Sequence, residues 1–149
     1  MREILFRGKR VDNGEWVCSG NLIHFNEGNE CYIPVKNSNC TCTHDINDNI
    51  IEWNEVMFCK VIPDTVGQYT GLTDKNGKRI FEGDIVDCWS EGVNAQGTVQ
   101  QRRDGLWIIF PAWQKTIMWG LCPDEYSNTS VEVIGNIYDN PELIAEVEG

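Results

Sequence analysis

Glycine-bearing turns between short apolar runs set the strongest constraint on this chain. Asn13-Gly14, Asn76-Gly77 and Asp104-Gly105 each separate segments in which apolar and polar residues alternate. Asn-Gly and Asp-Gly steps tolerate the positive φ angles that a tight β-hairpin needs. A helical fold would instead show apolar residues at helical spacing over longer stretches. Fourteen glycines and six tryptophans fit the same picture, because aromatic residues suit pleated, half-buried strands. The expected fold is mainly β.

The turns divide the chain into expected elements. Ile4 to Phe25 reads as a hairpin closing at Asp12-Asn13-Gly14-Glu15, with Trp16-Val17-Cys18 returning and Leu22, Ile23 and Phe25 continuing the return strand. Cys31 to Val35 reads as a short edge strand, since Pro34 cannot donate to a central ladder. Asn37 to Asn49 reads as loop. Ile50 to Ile62 holds one or two strands, Glu55 to Val61 being the better candidate. From Val66 to Val86 a strand through Gly67-Gln68-Tyr69-Thr70 leads to a turn at Asp74-Lys75-Asn76-Gly77. Lys78 to Phe81 then returns, and Glu82-Gly83-Asp84 turns again before Ile85-Val86. Gly97 to Phe110 is a hairpin closing at Asp104-Gly105, and its second strand is apolar on both faces, as a central strand requires. Trp113 to Leu121 and a segment near Gly135, marked by Val131, Val133 and Ile137, supply further strands. Asn140 is placed to cap a short helix with Pro141 at its first position. Short strands joined this way are typical of small SH3-like barrels. The organisation expected is an N-terminal β region over 1–59 with an irregular loop, and an SH3-like barrel or pseudo-barrel over 60–149 with a short C-terminal helix. At this length the two parts can also be one continuous domain.

Charge narrows the functions. Twelve basic and twenty-three acidic residues give a net charge of −11. Such a chain repels nucleic-acid phosphates, so generic nucleic-acid binding is disfavoured. The exception would be the basic N-terminal hairpin carrying Arg2, Arg7, Lys9 and Arg10. The start of the chain has no long apolar stretch, so no secretion leader is expected. No apolar run is long enough to span a membrane. Seven cysteines without a secretion signal point to reduced thiols and a cytoplasmic location.

Two stretches carry a family likeness. One is Val66-Gly67-Gln68-Tyr69-Thr70-Gly71-Leu72, then Asp74-Lys75-Asn76-Gly77-Lys78, then Ile80-Phe81-Glu82-Gly83-Asp84-Ile85-Val86. The other is Val133-Ile134-Gly135-Asn136-Ile137-Tyr138-Asp139-Asn140-Pro141-Glu142-Leu143. Both resemble the YopX family of small phage and prophage proteins. Phe6-Arg7-Gly8-Lys9 followed by Gly14-Glu15-Trp16-Val17 fits more loosely, and the cysteine-rich 26–50 stretch lies outside the pattern. The resemblance implies a mostly β protein of phage or prophage origin with a barrel-like part. It brings no catalytic residues.

Several constellations suggest chemistry, each beside a plainer explanation. Cys40-Thr41-Cys42-Thr43-His44 would align three zinc-type ligands on one face of an extended strand. The C-x-C-x-H spacing departs from the usual two to four intervening residues, and Cys31 or Cys18 would have to complete the set. No stoichiometric metal and no cofactor are expected. A Cys–His nucleophile pair from the same residues lacks a third group and an oxyanion site. Glu82 and Asp84 flank Gly83 and read as turn chemistry rather than an acid–base pair. Gly67, Gly71, Gly77 and Gly83 do not form a phosphate loop. Tyr69, Phe81, Trp107, Trp113 and Trp119 could stack bases, but Arg102 and Arg103 are the only bases near them, and core packing explains them better. Neither His24 nor His44 sits in a nucleophile or metallohydrolase motif.

The function expected is therefore that of a non-enzymatic accessory protein acting on a host or phage protein, one with a basic surface being favoured by charge, or acting by homo-oligomerisation. Two alternatives stand beside it: a hydrolase with its site in the 26–50 stretch, and a nucleic-acid binder using the N-terminal hairpin.

Overall fold

The structure is a computed structural model and describes residues 3–36, 42–44, 50–53, 56–90, 93–111 and 119–145. The chain divides into two compact units, Leu5–Val66 and Met1–Ile4 with Gly67–Gly149. Both are mainly β, with antiparallel ladders.

In the Leu5–Val66 unit, strands β1 (Phe6–Lys9) and β2 (Trp16–Ser19) form the expected hairpin. Gly14 takes φ 73° in its turn, and the Arg10 N–H donates to the Glu15 carbonyl at 2.8 Å. The return strand does not run on to Phe25. The Asn21 N–H turns back to Ser19 Oγ at 3.3 Å, and β3 (Ile23–Phe25) pairs with β4 (Glu30–Lys36) instead. A turn with Gly28 at φ 83° and Asn29 at φ 50° joins them. Next come β5 (Cys42–His44), β6 (Ile50–Trp53) and β7 (Val56–Val61). The first two pair with each other, so part of the expected loop is a two-stranded ladder. β4 lies between β3 and β7 and is central, not an edge. Its proline is tolerated because β3 pairs no further than Tyr32, leaving Pro34 a neighbour only on the β7 side. A 3-10 turn at Pro63–Thr65 closes the unit. There Thr65 Oγ1 accepts the Lys9 N–H at 2.9 Å and donates to the Ile62 carbonyl at 2.6 Å. Cys31, Ile33 and Val61 form the small core, with Val17, Leu22, Val35 and Val66 packed against it.

The second unit holds β8 (Gly67–Thr73), β9 (Arg79–Phe81), β10 (Asp84–Ser90), β11 (Val93–Gln101), β12 (Trp107–Pro111), β13 (Trp119–Gly120) and β14 (Glu132–Asn136). The last five make one sheet in the order β13-β12-β11-β10-β14, and β8 pairs with β9. Both ladders feed one core: Ile80 from β9 packs with Val86, Cys88, Val99, Ile109, Leu121 and Val131. β12 is central, with both Ile108 and Ile109 buried. Of the strand expected over Trp113 to Leu121, β13 is the part within the described residues. A single helical turn, α1 (Glu142–Ala145), ends the described chain. The Asn140 side chain does not cap it as expected. Its Oδ1 instead accepts the Asn136 N–H at 3.3 Å, holding the preceding turn.

The two stretches of family likeness meet here through backbone groups. The Asp74 carboxylate, 2% exposed, accepts the N–H groups of Asn76 (2.9 Å) and Lys78 (2.8 Å) on Oδ1 and of Val133 (3.0 Å) on Oδ2. Asp84, 1% exposed, accepts the Phe81 N–H at 2.8 Å. The Gly83 carbonyl accepts the Ile137 N–H at 3.0 Å. A side chain at Gly135 would place its Cβ 2.5 Å from Asn140 Oδ1, so only glycine lets that turn fold back.

Gly77 (φ 82°) and Gly83 (φ 89°) occupy the two expected turns. A Cβ at Gly77 meets nothing within 4 Å, whereas one at Gly83 meets the Tyr138 ring at 3.1 Å. Gly77→Ala should therefore cost about 1 kcal/mol in urea unfolding, the backbone strain alone. Gly83→Ala should cost more, and equal losses would contradict the packing of Tyr138 on this turn.

Candidate functional site

The second unit carries a groove of about 590 Å³ walled by Tyr69 and Leu72 of β8, Leu106 and Trp107 at the start of β12, and Leu121. Sequence places these residues far apart. The positive-φ residues Gly71, Gly105 and Ser127 at its rim bring them together. Gly71 lies where the β8–β9 register shifts between Tyr69 and Thr73, bending β8 around the groove. Ser127, at φ 67°, is held by an Asp124 turn. Asp124 Oδ1 accepts the Tyr126 and Asn128 N–H groups at 2.8 and 3.0 Å, and the Ser127 carbonyl accepts the Thr73 N–H at 3.0 Å. At the mouth, Glu3 receives Arg79 Nη2 on both oxygens at 3.0 and 3.1 Å, and the Arg79 guanidinium lies 5.7 Å from the Tyr69 ring centroid.

The groove's threonine is committed to structure. Thr70 Oγ1 donates to the Ile80 carbonyl at 2.8 Å and accepts the Leu72 N–H at 3.1 Å. Leu72, Leu106, Trp107 and Leu121 add apolar and aromatic surface beside Glu3, Tyr69 and Ser127, and Leu106 is exposed.

The sequence-predicted candidates fall elsewhere. Cys40 lies outside the described residues, as do the side chains of Cys42 and His44 on β5, whose register with β6 shifts between Thr43 and His44. Cys31, proposed to complete a metal set, is buried in the apolar core of the first unit, and burial pushes its thiol up. Among the described residues no three His, Cys, Asp or Glu side chains cluster as metal ligands. Asp84 serves its turn, and burial raises the Glu82 carboxyl. His24 Nε2 lies 3.1 Å from Asn29 Oδ1 on an exposed turn. In the basic hairpin, the Arg7 guanidinium stacks 4.8 Å from the Trp16 ring centroid, and Arg10 grips Asp12 through Nε at 2.9 Å and Nη2 at 2.5 Å. Tyr69 and Phe81 are buried with ring centroids 5.5 Å apart, and Trp107 packs against the core. Trp113 and the Trp119 side chain lie outside the described residues.

A second cavity of about 320 Å³ is lined by Cys88 and Cys122, with Trp89, Ile109 and Val131. Burial, with Asp87 adjacent, pushes the Cys88 thiol up to about 11. Cys122 is exposed.

The protein is mainly β with antiparallel ladders, and its second unit carries a groove with apolar and aromatic walls. The family model for the YopX protein matches residues 5–145, and the chain belongs to the YopX family. Comparison with curated proteins gives no match. Among solved structures, the crystal structure of protein EF1440 from Enterococcus faecalis is similar at 23% identity, covering 95% of this chain and 97% of that one, with a TM-score of 0.49. Among the described residues no helix is long and apolar enough to cross a membrane.

The thiols give a direct check on this packing. Iodoacetamide at about pH 8 should modify Cys18 and Cys122 within the native fold, while Cys31, Cys59 and Cys88 react only after denaturation. Peptide mapping by mass spectrometry reads the result. Native labelling of Cys88 at the rate of Cys122 would contradict the burial described.

Proposed function

We propose that this chain is a phage or prophage accessory protein that binds a basic surface on a host or phage protein, without catalysing a reaction. The observation that carries this is the groove: Leu72, Leu106, Trp107 and Leu121 give it apolar and aromatic walls, its threonine hydroxyl is committed to the backbone, and it opens on a chain of net charge −11. An acidic chain of this size attracts a basic partner at long range, and an exposed Leu106 beside Trp107 offers it an apolar anchor. The hydrolase alternative rests on the 26–50 stretch. Its described part includes β4 and β5, where the hydrogen bonds of the backbone go to neighbouring strands. The nucleic-acid alternative loses force because Arg10 is neutralised by Asp12 and Arg7 is stacked on Trp16.

The test is affinity capture from infected host lysate with the native chain and Leu106→Asp. A basic protein should be retained by the native chain at about 50 mM salt, released near about 500 mM, and lost by the variant. Capture that ignores both salt and the substitution contradicts the proposal. So does hydrolase or transferase turnover that vanishes when His44 or Asp84 alone is replaced in a folded chain.

A further inference from the structure

The sequence holds two Asn-Gly steps, Asn13-Gly14 and Asn76-Gly77. At such a step the glycine nitrogen can attack the side-chain carbonyl of the asparagine before it. The chain itself holds the reacting atoms close, and glycine has no Cβ to obstruct the approach. Both steps lie in exposed turns, yet the fold surrounds the two carboxamides differently.

The Asn13 carboxamide has two partners, both supplied by Glu15. Its Oδ1 accepts the Glu15 N–H at 3.0 Å, and its Nδ2 lies 3.4 Å from Glu15 Oε2. A Cβ at Gly14 would meet nothing within 4 Å, so the turn has room to rearrange. Around Asn76 the bonds belong to the backbone. The Asn76 N–H donates to Asp74 Oδ1 at 2.9 Å and the Gly77 N–H to the Asp74 carbonyl at 3.0 Å. Asp74 is buried and also holds Lys78 and Val133, so this turn is tied to the core. Among the described residues no group donates to the Asn76 carboxamide.

The difference bears on the chemistry. When the Gly14 nitrogen bonds to Asn13 Cγ, negative charge develops on Oδ1, the atom that already receives the Glu15 N–H. That N–H is a preorganised donor for the oxyanion. The proton lost by the Gly14 nitrogen passes through solvent water to Nδ2, and the Glu15 carboxylate beside it stabilises the charge the departing amine acquires. The Cγ–Nδ2 bond then breaks, ammonia leaves and a cyclic succinimide remains. Water opens either of its carbonyls, giving aspartate or isoaspartate at position 13.

We propose that Asn13 is a self-modification site, deamidated through attack by Gly14 with the assistance of Glu15, while the Asp74 turn preserves Asn76. The product places a new carboxylate beside the Arg10–Asp12 ion pair. The site stands on the hairpin alone and is independent of the groove.

Peptide mapping by mass spectrometry, on the full chain incubated at neutral pH both folded and in urea, follows the two asparagines. In urea they should convert at similar rates. In the folded chain Asn13 should convert no more slowly than in urea, and roughly tenfold or more faster than Asn76. Glu15→Gln removes an exposed carboxylate and keeps the backbone donor. It should slow Asn13 roughly threefold or more in the folded chain, with Asn76 unchanged. Equal or reversed rates at the two sites in the folded chain, a folded Asn13 slower than in urea, or conversion indifferent to Glu15→Gln would each overturn the proposal.

Discussion

The carboxylate of Asp74 is the interaction on which the second unit depends. It begins a turn and yet is almost wholly buried, a position that costs a charged group its hydration. Three backbone N–H groups compensate. Two belong to its own turn and set the path from β8 into β9, and the third belongs to Val133 at the start of β14. One side chain thereby ties a local turn to a strand far along the chain. Around it the backbone continues the attachment: the Lys75 N–H donates to the Val131 carbonyl at 2.9 Å, and the Thr129 N–H to the Thr73 carbonyl at 2.8 Å. These bonds hold the 127–133 segment against β8, and with it both Ser127 at the groove's rim and Val131 in the core.

This explains why the family likeness falls where it does. Asp74, Gly83, Asp84, Gly135 and Asn140 are all used to join turns to strands. The residues by which the chain resembles its family build the scaffold. Of the groove's walls, Tyr69 and Leu72 lie in the first of those stretches, while Leu106, Trp107 and Leu121 lie outside both.

Turns were the most legible part of the fold, because Asn-Gly and Asp-Gly steps state their backbone angles locally. Gly14, Gly77, Gly83 and Gly105 all take the positive φ their contexts imply. The doubly apolar stretch after Asp104-Gly105 was legible for a similar reason, since residues buried on both sides need neighbours on both sides. Partner choice was not legible. Whether Ile23 to Phe25 prolongs β2 or pairs with β4 depends on a turn at Gly28-Asn29 that returns the chain alongside β3. Pro34 suggested an edge, and from Ile33 to Lys36 the strand pairs with β7 and no longer with β3. The reach of Asp74 to Val133 has no local signal beyond an aspartate opening a turn. The groove is harder still to read, for its walls come from three separate stretches and exist only after the core has formed.

The most direct test of this account is the pH dependence of unfolding of the native chain beside Asp74→Asn. Burial alone would raise the Asp74 carboxyl, but the Val133, Lys78 and Asn76 N–H groups, with the Lys78 charge, hold it below the ordinary carboxylate range. A carboxyl depressed in the folded state contributes stability that is present above its unfolded pKa of about 4 and lost as pH falls through the folded value. At pH 7 the native chain should exceed Asp74→Asn by about 1–3 kcal/mol, the cost of leaving a buried donor poorly paired. That advantage should shrink steadily as the pH is lowered below about 4. Equal stability of the two chains at pH 7, or a difference that does not change with pH, would contradict the central place given to this carboxylate.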